Sequence, residues 1–151
     1  MKIVIGSDHR GFSLKSYLKD WFASKGYEVE DLGTDNLTTS DYPDYAISVA
    51  RAISKNEGSL GILICGTGIG MSIAANKVNG IRAARVCSAK DAEMSKRHNN
   101  SNVLCIGADL VDELMAQRMI TAWLEASFEG DRHQRRLSKI SDFEKNIHDV
   151  G

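Results

Sequence analysis

Hydrophobic positions along the chain follow two spacings, and stretches of each kind alternate from end to end. Short apolar runs predict five strands, at Lys2–Ser7, Tyr27–Leu32, Leu60–Cys65, Ile81–Val86 and Val103–Ile106. Apolar residues at helical spacing predict helices at Phe12–Ser24, Met71–Lys77, Ala89–Arg97, Val111–Phe128 and Gln134–His148, with a further helix starting near Pro43. Strands that alternate with helices indicate βαβ units. We therefore expect an α/β fold with a parallel sheet and helices on both of its faces.

Length and composition fit one globular domain and exclude several classes of protein. At 151 residues the chain is long enough for a single core, and we expect one domain spanning 1–151. A formal net charge of −1 lacks the basic excess of a nucleic-acid-binding domain. No apolar run reaches the length of a membrane span, and the first strand meets Asp8 too soon for a signal peptide.

Cysteines and histidines narrow the chemistry further. The three cysteines, Cys65, Cys87 and Cys105, are odd in number and form no C-x-x-C pair. Reduced thiols in a cytoplasmic protein are the expected reading. The four histidines lie far apart in the sequence without ligand-like spacing, so we expect no metal site.

The segment that follows the third strand, CGTGIGMS, has the strongest functional pattern. Gly66, Gly68 and Gly70 let the chain turn sharply and bring backbone N–H groups close to a ligand. Three known loops do not fit. A Walker loop needs G-K-[ST], a dinucleotide fingerprint needs a glycine at its sixth place, and a cysteine phosphatase needs an arginine where Met71 stands. The glycines alone are equally typical of a tight strand-to-helix turn without a function.

Cys65 ends the third strand beside this turn and beside the start of a helix. A helix N-terminus favours a thiolate, which would act as a nucleophile or as a proton acceptor. The N–H groups of the turn would stabilise negative charge on a substrate oxygen. A buried structural cysteine is the alternative, and it is the reading we expect for Cys87 and Cys105.

Two further segments, GSDHRGF and KRHNNSNV, each place a histidine near a strand end. Asp8 and His9 follow the first strand. His98 and Asn99 lie between the fourth and fifth strands. We expect both pairs at the carboxyl edge of the sheet beside Cys65, where imidazoles would transfer protons near neutral pH. A single structural histidine at a strand end is the ordinary alternative.

Near the carboxyl terminus, the segment DRHQRR places Arg132 and Arg136 one helical turn apart. Residues at i and i+4 share a helix face, so the two guanidinium groups have the spacing to grip a phosphate. A solvated basic face is the usual alternative for charges on a terminal helix.

In this order, the segments resemble the type B ribose-5-phosphate isomerase family, which also contains galactose-6-phosphate and allose-6-phosphate isomerases. The likeness covers nearly the whole chain, through GSDHRGFSLK, SDYPDYA, ILICGTGIGMSIAANK, RHN, NVL and RHQRR. It implies a Rossmann-like sheet in strand order 2-1-3-4-5 and a sugar phosphate substrate. It also implies a homodimer with shared active sites, with pairing of dimers into tetramers left open, and no metal or organic cofactor.

The resemblance also implies roles for individual residues. Cys65 would remove the proton next to the carbonyl, since the position where other members carry a glutamate base is Met71 here. His98 would open the sugar ring, and Arg132 and Arg136 would hold the phosphate. The other implied substrate contacts are Asp8, His9, Tyr42, Asn99 and Thr67, and Thr67 is also counted with the catalytic residues. The N–H groups of Gly66, Gly68, Ile69 and Gly70 would hold the enediolate oxygens.

One position departs from the family pattern and leaves the sugar open. Several relatives carry an arginine two residues after the glycine that closes the fifth strand, where this chain has Asp109. A carboxylate there would repel a phosphate, unless it faces solvent or caps the next helix near Leu110–Glu113. The alternatives are therefore an isomerase of a six-carbon aldose phosphate, such as allose or galactose 6-phosphate, and a catalytically silent sugar-phosphate-binding subunit. The intact Cys65, Thr67 and His98 argue against the silent subunit.

Overall fold

The computed structural model describes residues 1–148, which form a five-stranded parallel sheet with helices on both faces. The strands are β1 (Lys2–Ser7), β2 (Glu28–Asp31), β3 (Leu60–Cys65), β4 (Ala83–Arg85) and β5 (Val103–Gly107). The helices are α1 (Phe12–Ser24), α2 (Tyr42–Lys55), α3 (Ile69–Ala75), α4 (Ala89–Asn99), α5 (Glu113–Glu125) and α6 (Arg132–His148). The predicted α/β fold is confirmed, and the last residues of the predicted domain, 149–151, lie outside the described part.

The strands lie in the order β2-β1-β3-β5-β4, and all four neighbouring pairs are parallel. The implied order 2-1-3-4-5 is therefore wrong for the last two strands. Burial explains the difference, because every residue of β5 is buried whereas β4 is short and partly exposed. A continuous apolar strand is stable between two neighbours, and a short, half-polar strand suits the edge of a sheet.

Boundaries match the prediction best where the apolar spacing changes abruptly. The bounds of β1, α1 and β3 are those predicted. Helix α3 begins at Ile69 rather than at Met71, because the last glycine of the turn is already helical. Within residues 1–148, no helix has both the length and the apolar character needed to cross a membrane.

The core has two layers because successive strand residues point to opposite faces of the sheet. Ile62 and Ile64 of β3 pack on one face with α1 and α5, where Trp123 is fully buried. Leu63 packs on the other face with α2 and α3. Full burial of such side chains contributes about 1.5–3 kcal/mol each to stability. This packing fixes β3, and therefore the turn that follows it.

A buried ion pair holds the loop that leads towards the site. The Lys15 ammonium is almost fully buried and contacts both carboxylate oxygens of Asp31 at 2.9 Å, and it also donates to the Thr34 carbonyl. Burial alone would raise the pKa of Asp31, but hydrogen bonds from Lys19 and Lys15 outweigh it and lower that pKa below its ordinary value. The same loop continues to Ser40, which contacts the predicted site.

Candidate active site in two parts

The turn after β3 places the Cys65 thiol against backbone N–H groups. Cys65 is 5% exposed, and its Sγ accepts a hydrogen bond from the Gly68 N–H at 3.1 Å. Gly68 has a left-handed conformation, with φ +78°, which a residue with a side chain rarely adopts. The glycine is therefore required for the chain to fold back over the sulfur. An N–H directed at the sulfur stabilises negative charge on it.

Backbone hydrogen bonds tie this turn to the end of β5. Cys65 lies opposite Gly107 in the register of the two strands. The Ala108 N–H donates to the Cys65 carbonyl at 2.8 Å, and the Asp109 N–H donates to the Gly66 carbonyl at 3.0 Å. The thiol is thus positioned by main chain on both sides.

The loop after β1 brings Asp8 and His9 to the same edge, as predicted. Asp8 is 5% exposed, and its Oδ1 accepts from the N–H groups of Arg10 at 3.0 Å and Gly11 at 3.2 Å. The Nδ1 of His9 accepts from the Ser40 N–H at 3.1 Å. In the neutral imidazole the proton is then on Nε2, which leaves that atom as a hydrogen-bond donor.

Side chains from α2 and from the turn itself complete this group. The Tyr42 ring lies so close to Gly70 that an added Cβ would come within 2.6 Å of its Cζ. Thr67 and Ile69 are exposed on the turn, and the Thr67 hydroxyl accepts from the Ile69 N–H at 3.3 Å. We call this group the turn site, defined as Asp8, His9, Tyr42, Cys65 and the residues 66–70.

Two cations that are not among the predicted site residues also lie at the turn site. The Arg10 guanidinium lies on Gly66, where an added Cβ would be 2.5 Å from Cζ, and it forms an ion pair with Asp109. Arg85 donates through Nε to the Thr67 carbonyl at 3.1 Å. The alternative that Asp109 caps the next helix is wrong, because Asp112 is the residue that caps α5. No sequence motif predicts an ion pair such as that of Arg10 and Asp109, which lie in loops far apart in the sequence.

The second group of predicted residues lies on α4 and α6. The rings of His98 and His133 stack with centroids 4.2 Å apart and an interplanar angle of 13°. The Nε2 of His98 is 3.4 Å from a carboxylate oxygen of Glu129. Arg132 and Arg136 are exposed on the same end of α6. We call this group the helix site, defined as His98, Asn99, Glu129, Arg132, His133 and Arg136.

His133, which sequence reasoning did not select, is the buried member of the helix site. It is 4% exposed, and its Nε2 has no hydrogen-bond partner among the described residues. Burial, followed by the charge of Arg132, lowers the pKa of His133 below its ordinary value. The buried His133 ring is therefore stacked under the partly exposed His98.

The helix site also contains the one group of metal-ligating side chains found within residues 1–148. The ligand atoms of His98, Glu129 and His133 lie within 4.8 Å of one another. Histidines that are far apart in the sequence therefore meet here, which their spacing in the sequence does not predict. A metal ion lies in the plane of each imidazole that binds it, and two nearly parallel rings cannot both point at one ion without turning. The arrangement fits stacking better than metal binding.

The two sites lie at opposite ends of the strands, the turn site at the carboxyl edge and the helix site towards the amino edge. The expectation that His98 and Asn99 join Cys65 within one chain is wrong. Helix α4 runs back from the carboxyl edge, and the residues after it bond at the amino end of the sheet, where the Gly61 N–H donates to the Asn102 carbonyl. From that point, about 13 Å of strand leads to Cys65. Connection through a helix reverses direction, so a residue late in α4 cannot reach the carboxyl edge.

The fold and the turn site define an α/β protein with a ligand site at the carboxyl edge of a parallel sheet. The chain belongs to the ribose/galactose isomerase family, whose sequence model matches residues 3–140. It is 45% identical over 144 residues to ribose-5-phosphate isomerase B of Escherichia coli, a match that covers 95% of this chain and 97% of the relative.

Solved structures extend the similarity to three dimensions. Ribose-5-phosphate isomerase B of Clostridium thermocellum matches with a TM-score of 0.95 at 47% identity, over 97% of this chain and 99% of that chain. The enzyme of Mycoplasma genitalium with bound ribulose 5-phosphate matches with a TM-score of 0.92 at 44% identity, over 95% and 96% of the two chains. The family suggested by the sequence segments is confirmed.

Proposed function

We propose that this protein interconverts ribose 5-phosphate and ribulose 5-phosphate. The observation that carries the proposal is the Cys65 thiol, held at a strand end with the Gly68 N–H directed at its sulfur. Aldose–ketose isomerisation needs a base, donors for a developing oxyanion and a remote group that holds the substrate. The turn site supplies the first two, and the arginines of the helix site supply the third. Proton transfer between adjacent carbons requires no cofactor.

In the proposed reaction, His98 exchanges protons with the ring oxygen and the anomeric hydroxyl, which opens the sugar. The Cys65 thiolate then takes the proton from C2, and the electron pair of that bond forms the enediolate. The hydroxyl proton moves from O2 to O1 of the enediolate, whose oxygens are stabilised by the N–H groups of residues 66–70. Cys65 then returns its proton to C1, which leaves the carbonyl at C2. Arg132 and Arg136 hold the phosphate, and this fixes the open chain for both transfers. Asp8, His9, Tyr42, Thr67 and Asn99 contact the sugar hydroxyls.

This mechanism requires two copies of the chain. Cys65 and His98 lie at opposite edges of one sheet, so a single subunit cannot apply both to one sugar. A two-fold dimer places the same surface of each chain against the other, and it pairs each turn site with the partner's helix site. We infer that each active site combines the two.

Exposed apolar side chains support contact near both sites. Ile69 and Ile73 of α3 are 47% and 57% exposed beside the turn site. Phe143 and Ile140 of α6 are 65% and 50% exposed on the helix that begins in the helix site. Apolar patches of this kind are typical of surfaces that another protein covers.

Complementation tests the shared site. Cys65→Ala and His98→Asn would each be inactive alone. When they are co-produced with different tags in equal amounts, about half of the dimers are mixed, each mixed dimer has one intact site, and about a quarter of wild-type activity returns. Purified mixed dimers without activity would overturn the shared site. A pairing of Cys65→Ala with the double variant Cys65→Ala/His98→Asn is the matched control and should stay inactive.

The substrate is tested separately, on wild-type protein. Steady-state kinetics with five-carbon and six-carbon aldose phosphates should give the highest kcat/KM with ribose 5-phosphate. A preference for allose or galactose 6-phosphate would retain the reaction and change the substrate. No turnover of any sugar phosphate would favour a silent subunit. The cytoplasmic location remains a prediction.

A further inference from the structure

A polar cavity lies at the amino edge of the sheet, opposite to the turn site. Its volume is about 590 Å³, and the loop between α2 and β3, the start of β4 and the end of α4 enclose it. Its polar lining includes Asn56, Glu57, Arg82, Lys96, Asn100 and Asn102. The residues assigned above to catalysis do not line it, so the proposed reaction does not explain it.

Two cations line this cavity without a carboxylate partner. Within residues 1–148, the Lys96 ammonium makes no hydrogen bond and no ion pair. Arg82 donates through Nε to the Asn100 carbonyl at 2.9 Å and through Nη1 to the Gly80 carbonyl at 3.4 Å. Both acceptors are neutral. Neither positive charge is therefore balanced by direct contact.

Carboxylates near the cavity do not replace the missing partner. Glu57 lines the cavity but is exposed and forms no ion pair within the described part of the chain. Glu144 acts on Arg82 from a distance, while its own carboxylate accepts from the Gly80 N–H at 3.2 Å. The cavity as a whole therefore carries positive charge.

The two cations destabilise each other in the free protein. Burial and the charge of Arg82 both lower the pKa of Lys96. Burial likewise lowers the pKa of Arg82. Two partly desolvated like charges that face one cavity are stabilised by an anion placed between them.

We propose that this cavity is a second anion site, which binds inorganic phosphate or the phosphate group of a small phosphorylated metabolite. Lys96 supplies up to three donors, and Arg82 supplies the guanidinium N–H groups that the two carbonyls leave free. Neutral side chains make up most of the remaining lining. The site is not the substrate phosphate site, which lies with Arg132 and Arg136. Asn100, whose carbonyl accepts the hydrogen bond from Arg82, directly follows α4, the helix that carries His98.

Calorimetric titration with inorganic phosphate at low ionic strength tests the proposal. The protein carries Arg132→Ala and Arg136→Ala, which remove the proposed substrate phosphate site. We expect saturable binding that Lys96→Met weakens about ten- to hundred-fold, as for the loss of charge-assisted hydrogen bonds. Lys90→Met, an exposed lysine at the start of the same helix, should leave the affinity unchanged. Absent binding, or equal binding by the Lys96→Met protein, would overturn the proposal.

A second measurement does not depend on the Lys96 variant. In the same arginine-deficient protein with Lys96 intact, the side-chain Cε resonance of Lys96 should titrate at higher pH when phosphate is present. A titration that phosphate does not move contradicts the site. Glycerol 3-phosphate distinguishes the two sources of the ligand, because tighter binding than that of inorganic phosphate indicates a phosphorylated metabolite. Weaker binding indicates the free ion.

Discussion

The turn site and the helix site are built from different parts of the chain. In the turn site, main-chain hydrogen bonds from residues 68, 108 and 109 position Cys65 and its neighbours. In the helix site, side chains of two helices meet, through the stack of His98 and His133 and the contact with Glu129. A base must be placed within fractions of an ångström, which the backbone of a buried strand achieves. The proposed phosphate contacts and the proposed ring-opening acid are instead carried by helical side chains at the surface, which can adjust their positions.

The largest expected effect is the loss of Cys65, the proposed base at the turn site. Cys65→Ala should lower kcat by about 100- to 10,000-fold, the usual contribution of a general base, with little change in fold. Exchange of the C2 hydrogen with solvent should disappear as well. Cys87→Ala, at the exposed cysteine, is the matched control and should retain activity. Near-normal kcat in the Cys65→Ala protein would show that the base is another residue.

Arginine variants at the helix site should act on binding and leave kcat less affected. Arg132→Ala or Arg136→Ala removes charge-assisted hydrogen bonds worth roughly 1.5–3 kcal/mol, so KM should rise about ten- to hundred-fold. Lys145→Ala is the control, since this residue is exposed near the other end of the same helix. Equal effects from all three variants would indicate general electrostatic attraction instead of a phosphate contact.

Local features of the turn site could be predicted from the sequence, because consecutive residues build its central turn. The apolar run 62–64 predicts a buried strand, and the glycines after Cys65 predict a turn at its carboxyl end. The place of β5 between β3 and β4 depends on pairing between distant segments, which no local pattern reports. The same limit applies to His98, whose position follows from the direction of α4. It also applies to His133, which is identified only by its contacts in the folded protein.

An ion pair at the turn site should give a smaller effect. Arg10 and Asp109 are 54% and 45% exposed, and exposed pairs are typically worth about 0.2–1 kcal/mol. Asp109→Asn should therefore change KM by less than about fivefold. Asp109→Arg places two guanidinium groups side by side on the turn, so it should raise KM instead of improving phosphate binding.

A double-mutant cycle separates this pairing from a separate role of each charge. The exchanged protein, Arg10→Asp/Asp109→Arg, should recover part of the loss seen in Asp109→Arg, because the pair is restored with its signs reversed. Additive losses would show that Arg10 and Asp109 act independently and that their ion pair has no role at the turn site.

The smallest expected effect concerns stability at the helix site. His133 has a pKa below its ordinary value of 6.5 in the fold, so near that pH the unfolded chain binds a proton that the folded protein does not. Its contribution to stability is therefore complete above pH 6.5 and falls as the pH drops towards the folded pKa. Urea unfolding between pH 5.0 and 7.5 should show stability rising with pH in the wild type. His133→Gln should reduce the slope of the unfolding free energy against pH by at most the amount that corresponds to one proton. An unchanged slope would mean that His133 is not the buried group whose pKa is lowered beside His98.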